Sequence, residues 1–557
     1  MKNLLLLLRI RRQSLTHVRE SLRNESAFKI VFVTSFGLGL IAGLWWLFLS
    51  GFAFMDKLGG VGMIIIPKLF SFFFLSLTFM LILSGILTTY STLYRSDEMP
   101  HLLLHPFSIS EILVFKSLES AFFSSWAFFF IILPFVGAYA RHQHLPWHFC
   151  LGTLVFSIPF ALVCSAIGSV LTILFIRWIP RSRLFWTLLL LSIFGGVLWY
   201  WTHRMPVRYT QEDTVLMLNQ FVPFLALSTS PVQPGAWITE GITALSRGYW
   251  LRGLLYFLFL WANALFALLL IETLGRRFFY DGWQRTLSVS HASHSSSGLA
   301  PPMRRIPPFC LLPPDIRALM IKDVRTFLRD PQQWMQAVFF FGLLAVYFFS
   351  LGNMHYRSLP SVWKNIITFL NIFSIACVLC SLSSRFIYPQ MSLEGQAFWI
   401  IGMAPTTLWR VLTAKFLLSF LTMLLISASL MIISTSMLDV PSSTRLVSLY
   451  ISFCISLAMA GLSTGTGAIF IDLKQRNPSA IVSGFGGTLN LVLSLGVMLA
   501  CILPVATVFH YRELGLFHYS FFRFFALAGV LLPGLLAPLA AWIPLRLGRH
   551  RLLRLDY

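Results

Sequence analysis

Runs of about 20 apolar residues recur along this chain, and each is long enough to cross the hydrocarbon core of a bilayer as a helix. Twelve can be drawn: Ile30 to Ser50, Met63 to Ile86, Ile112 to Ala138, Phe149 to Ile176, Leu184 to Trp201, Leu254 to Leu274, Met335 to Ser350, Ile366 to Leu382, Val411 to Ile433, Leu446 to Ile471, Ile481 to Leu503 and Phe521 to Leu545. In lipid the backbone must satisfy its own hydrogen bonds, and uninterrupted apolar runs of this length do so as helices. The expected fold class is an all-α polytopic membrane protein. Only 11% of the 557 residues are charged, against about a quarter in soluble domains.

The net charge of +22 would suit a nucleic-acid partner, but confinement of basic residues to one membrane face explains it better. Twelve spans put both termini on one side. With the termini inside, 30 of the 42 Lys and Arg fall on the inner side, so the expected placement is multi-pass in the plasma (inner) membrane with both ends cytosolic. The seven cysteines form no disulfide framework, since most lie in apolar runs and suit packing.

Two polar interruptions stand out among the spans, Ser96 to Lys116 and Ser392 to Lys415. Each begins Ser-x-Glu (Ser96, Asp97, Glu98; Ser392, Glu394), continues through a short apolar segment that in the second copy holds Trp399, and is cut by Pro106 or Pro405, with a lysine ten residues later. Serine ahead of acidic residues suits a helix N-terminus, and Ser108-x-x-Glu111 has capping-box spacing for the helix that follows. Both copies are therefore expected as short helices lying flat at the membrane face, where a soluble protein can push on them.

Leu4 to Arg23 carries an apolar stripe opposite arginines and reads as an interfacial helix, although Arg11 falls inside the stripe. Asp315 to Arg329 is its counterpart: Ile316, Leu319, Met320, Val324 and Phe327 face one way, Lys322, Arg325 and Arg329 the other. Between them the composition turns to Ser, Pro and His, so 283–314 reads as a flexible cytosolic linker between two six-helix units, 1–282 and 315–557. Ser-x-Phe-Gly-Gly also occurs twice, placing Gly195 and Gly196, and Gly486 and Gly487, at expected close helix contacts. The long loop Thr202 to Arg252 carries Phe221 to Leu227, apolar enough to dip back into the membrane.

Several chemistries are disfavoured. All twenty Asp and Glu lie in loops or within a turn or two of a span end, which argues against an ion-coupled transporter; Glu119, Glu272 and Asp472 come nearest the membrane. No paired carboxylates or His/Cys spacing suits a membrane enzyme or a metal site. None of the nine lysines follows a glycine, so the Gly-Lys of a phosphate-cradling P-loop is missing.

The pattern resembles an ABC-2 type permease, within the family of ABC exporter membrane subunits whose halves are fused. The resemblance rests on Lys322-Asp323-Val324-Arg325, Arg329-Asp330-Pro331, Ser392-Leu393-Glu394-Gly395 with Phe398-Trp399, Ala404-Pro405, Lys415, and Asn477-Pro478-Ser479 with Ser483 to Gly487. It implies six helices per unit, an amphipathic connecting helix before the first, a coupling helix between the second and third, and a re-entrant element between the fifth and sixth. It also implies an exporter whose ATP and Mg are held by a separate ATPase subunit, a dimer docking at Ser96 to Pro106 and Ser392 to Pro405. An ion-coupled transporter and a membrane enzyme are the rival readings.

Overall fold

The computed structural model describes residues 6–7, 9, 13, 27–56, 61–94, 96, 98–178, 230–292, 312–329, 333, 361–437, 441–475, 478–513 and 519–554. Every element among them is helical. The first group is α1 (Ala27–Asp56), α2 (Val61–Thr89), α3 (Glu98–Leu104), α4 (Ile109–His142), α5 (Trp147–Trp178), α6 (Pro234–Ser246) and α7 (Trp250–Ala292). The second is α8 (Pro314–Arg329), α9 (Ser361–Leu382), α10 (Phe398–Met403), α11 (Leu408–Met437), α12 (Ser442–Ile469), α13 (Pro478–Ser483), α14 (Phe485–Glu513) and α15 (Tyr519–Leu552). The groups belong to two compact units, whose described residues lie before 297 and after 298.

Nine helices among the described residues are long and apolar enough to cross a membrane. A tenth, α4, passes the same test as two segments, Ile109–Trp126 and Phe128–His142, inclined at 46°. A multi-pass membrane protein is the fold class that these helices fit. The runs Leu184 to Trp201 and Met335 to Ser350 lie outside the described residues, as do Gly195, Gly196, Asp97, the stretch Phe221 to Leu227 and most of the interfacial helix expected over Leu4 to Arg23.

The first unit packs on aromatic rings. Phe70 stacks on Tyr139 at 4.4 Å and Phe73 on Phe135 at 3.5 Å, with Phe74, Phe128 and Phe160 wholly buried beside them. Toward one end of α2, α4 and α5 the contacts become polar: the Ser120 hydroxyl lies 2.7 Å from that of Thr88 and 2.9 Å from that of Thr89, which in turn meets Ser169 at 2.8 Å. Hydroxyl pairs of this kind hold helices together in lipid, where burial of apolar surface gives no driving force. The second unit has an aliphatic and sulfur-rich core around Ile375, Met431, Met459, Met498 and Cys501. Its α12 and α15 meet almost backbone to backbone, since a Cβ on Gly465 would lie 2.6 Å from Leu545 N.

Two elements differ from expectation. The long stretch Thr202 to Arg252 of the first unit holds the helix α6, with Pro234, Ala236, Ile238 and Ile242 buried; Gly235 lies against the α2 backbone and Gly241 against Phe156 of α5. Proline at the first helical position and small residues on the packing face account for it. Helix α7 meanwhile runs on to Ala292, ten residues into the stretch expected as linker. The Ser-rich composition dominates only beyond Ser288, and a helix already nucleated propagates through residues of middling propensity.

Candidate functional site

In the first unit α2 ends in a five-residue π-helical turn, Tyr90–Tyr94, and the first polar interruption follows. Ser96 Oγ accepts the Glu98 N–H at 3.3 Å, as a serine at a helix start should, and α3 runs for seven residues. Met99 is buried, whereas Leu104, at 84% exposure, projects beside the exposed Pro106. The capping box forms as expected: Ser108 Oγ accepts from Glu111 N at 3.3 Å, and Glu111 Oε2 accepts from Ser108 N at 3.2 Å.

The lysine after the proline is what anchors this segment. Lys116, on α4, is 2% exposed, and its Nζ donates to Glu98 Oε2 at 2.7 Å and to Glu119 Oε2 at 2.8 Å. An ammonium this deeply buried requires compensating charge.

The second unit repeats the arrangement with different parts. Helix α9 also ends in a π-helical turn, Ser383–Ile387, and two 3-10 segments follow, Tyr388–Gln390 and Ser392–Ala397. An α-helix starting at Ser392 is not what forms. Gly395 takes φ 59° and ψ −148°, which interrupts the helix, and regular helix resumes only at α10. The cap expected from Ser392 does not form either: the residue is buried and its Oγ accepts instead from Asp472 N at 3.0 Å.

Lys415, on α11, is 2% exposed. Its Nζ donates to Glu394 Oε1 at 2.7 Å, to Asp323 Oδ2 at 3.2 Å and to the Gln390 carbonyl at 3.4 Å. Lys322 Nζ closes the group by reaching Glu394 Oε1 and, at 3.2 Å, Asp323 Oδ1. Two ammonium groups and two carboxylates thus balance around one point. They join the amphipathic helix α8, the 3-10 segment and the span α11. Helix α8 is further held by Ile316 and Met320 packing on Ala414, and by Arg410 Nη1 donating to Asp315 Oδ2 at 2.9 Å. Desolvation pushes the Asp315 carboxyl up, but the Arg410 hydrogen bond and backbone N–H groups outweigh it and hold it below the usual carboxylate range.

Above this ionic base the second segment presents apolar side chains. Phe398 is buried with Met391, Leu412, Leu545 and Leu552, while Trp399 (54%), Ile400 and Met403 are exposed, and Pro405 lies in the turn beyond them. Gly486 is buried where Tyr388 and Phe470 close over it, and Gly487 packs on Val482 of the preceding α13, so both serve tight local packing. Of the other carboxylates near the membrane, Glu272 pairs with Arg276, while Asp472 Oδ1 accepts from Lys474 N at 3.0 Å. Among the described residues no group of three or more His, Cys, Asp and Glu could hold a metal ion.

Sequence reasoning placed Ser96, Glu98, Pro106, Ser392, Glu394, Trp399 and Pro405, and noted both lysines, but it missed the roles of Glu119, Asp323 and Lys322. The signal available was a lone lysine inside an apolar helix, which demands a counter-ion somewhere in the fold. No curated protein and no solved structure matches the chain. The family described as "Putative ATP-binding cassette" matches residues 21–557, nearly the whole length, and the chain belongs to that family.

Proposed function

We propose that this chain is the membrane-spanning permease subunit of an ABC exporter, built as two fused six-helix ABC-2 type units with both termini cytosolic. ATP would be hydrolysed on a separate ATPase dimer. The family match supports an ABC-related transporter, and the missing Gly-Lys among nine lysines argues that nucleotide binds elsewhere.

The observation that carries the reading is the build of the two segments. Each has an exposed apolar tip, Leu104 in one and Trp399, Ile400 and Met403 in the other, on a base tied by a buried lysine to the helix that follows. A push on the tip would pass through Glu98 and Lys116 to α4, or through Glu394 and Lys415 to α11. Nucleotide-driven closure of the ATPase dimer would then favour one packing of the two units over another, with the energy coming from differential nucleotide binding to the two states.

Affinity purification of the full chain from its native membrane tests this. A stand-alone ATPase should copurify, and its hydrolysis should rise on association. Recovery of the intact chain with no ATPase, together with transport driven by an ion gradient, would overturn the assignment.

A further inference from the structure

The end of α15 carries two arginines held over indole rings. Arg546 lies over the Trp542 ring at 5.0 Å, and Arg549 over the Trp409 ring at 5.7 Å. Other exposed arginines among the described residues divide: Arg252, Arg276 and Arg410 pair with Glu240, Glu272 and Asp315, while Arg141 and Arg277 lie over the Trp45 and Phe278 rings at 6.0 and 5.6 Å. Among the described residues neither Arg546 nor Arg549 meets a carboxylate, and 527–554 contains no Asp or Glu at all. A guanidinium stacked on an indole spends its flat face and keeps its in-plane N–H donors, the ones that fit the oxygens of a phosphate.

Position decides which phosphate. Residues three and four apart share a helix face, so Trp542, Arg546, Arg549 and Leu553 form one stripe, and all four are exposed. Ile543 (48%) and Leu547 (55%) are exposed beside it, continuous with the apolar length of α15. The flank of the stripe is buried: Leu545 and Leu552 pack with Met391, Phe398 and Leu412 at the base of the second polar segment. A free anion or an acidic protein surface would have no use for the apolar half of the stripe. A lipid has, because its phosphate meets the arginines while its chains lie along Trp542 and Leu547. We propose that Arg546 and Arg549, backed by Trp542 and Trp409, bind the phosphodiester headgroup of an anionic phospholipid. This inference rests on the helix crossing the membrane and not on the exporter reading. The bound lipid would brace the base of the second segment.

The test uses the full chain in phosphatidylcholine nanodiscs carrying a small fraction of spin-labelled phosphatidylglycerol or, separately, spin-labelled phosphatidylcholine. The ratio of motionally restricted label should favour phosphatidylglycerol. It should fall about five-fold for Arg546→Gln or Arg549→Gln alone, as expected for one basic residue near a headgroup, and approach unity in the double variant. Arg551→Gln, on another face of the same turn, should leave the ratio unchanged, and thermal unfolding should confirm that each variant is folded. Equal loss in Arg551→Gln would mean diffuse attraction, and an unchanged ratio in the double variant would mean no lipid site; either overturns the proposal. Displacement of the label by millimolar glycerol phosphate would overturn it in favour of a soluble anion. Loss of ATPase capture with an unchanged ratio would overturn it in favour of a protein contact.

Discussion

Lys415 Nζ lies 2.7 Å from Glu394 Oε1 and 3.2 Å from Asp323 Oδ2, so one buried ammonium joins carboxylates that precede it by 21 and 92 residues. Removing that ammonium leaves Asp323 and Glu394, both largely buried, with Lys322 alone. Breaking a buried ion group by deleting one partner typically costs about 3–5 kcal/mol. Lys415→Met should therefore lower the thermal unfolding temperature of the detergent-solubilised chain markedly. The double variant Lys415→Met/Asp323→Leu, which leaves Lys322 and Glu394 as a simple pair, should recover much of the loss. No recovery would mean that Lys415 acts through packing of its stem rather than its charge.

Charge reversal of the two segment carboxylates should have unequal effects. The Glu98 side chain is 55% exposed and Lys116 keeps Glu119, so Glu98→Lys can turn its new charge into water; the cost should be near the ~1 kcal/mol of an exposed pair. Glu394 is 14% exposed and serves two lysines, so Glu394→Lys sets three cations around Asp323. Unfolding temperatures and ATPase-coupled transport measured for both variants should rank Glu394→Lys well below Glu98→Lys. Equal stability in the two would contradict the geometry.

Gly395 offers a test of the break itself. Its φ of 59° with ψ −148° lies in a region that side chains other than glycine's enter only at a cost of about 1–3 kcal/mol. Space is not the obstacle, because a Cβ there would find only the Leu473 carbonyl, at 3.9 Å. Gly395→Ala should thus destabilise despite the room, shown as a lower unfolding temperature. An alanine variant as stable as the parent would mean that the segment readily forms a continuous helix.

What sequence reading recovered and what it missed divide along one physical line. Helix positions follow from local apolar runs, and the amphipathic α8 and the capping box at Ser108 and Glu111 follow from spacing within a turn or two. The ionic centres also need partners far along the chain, Glu98 lying 18 residues from Lys116 and Asp323 lying 92 from Lys415, although Lys116–Glu119 is a local pair three residues apart. In a chain rich in basic residues near span ends, the recurring spacing of Lys116 and Lys415 after Pro106 and Pro405 does not by itself name their counter-ions. The positive φ of Gly395 has no local signal in the sequence, because it is set by the surrounding fold. The second serine failed as a cap for a related reason, since the Asp472 N–H that claims it lies 80 residues away. The expected re-entrant stretch Phe221 to Leu227 lies outside the described residues, and the buried helix α6 follows a few residues later, where small residues rather than large ones set the packing.

The exposed tips separate docking from stability, which the charge variants cannot do, because Glu98 and Glu394 also hold the base together. Trp399 (54% exposed), Ile400 (56%) and Met403 (77%) project from α10, while Phe398 alone of that helix is buried. Replacing exposed side chains typically changes stability by no more than about 0.5 kcal/mol. A buried aromatic anchor at a protein interface is worth about 2 kcal/mol or more to binding. Trp399→Ser/Met403→Ser should therefore insert and unfold like the parent yet lose ATPase copurification by an order of magnitude or more. Leu104→Ser should have a smaller effect, since α3 offers one apolar side chain where α10 offers three. Undiminished ATPase capture by the Trp399/Met403 variant would remove the apolar tip from the docking surface.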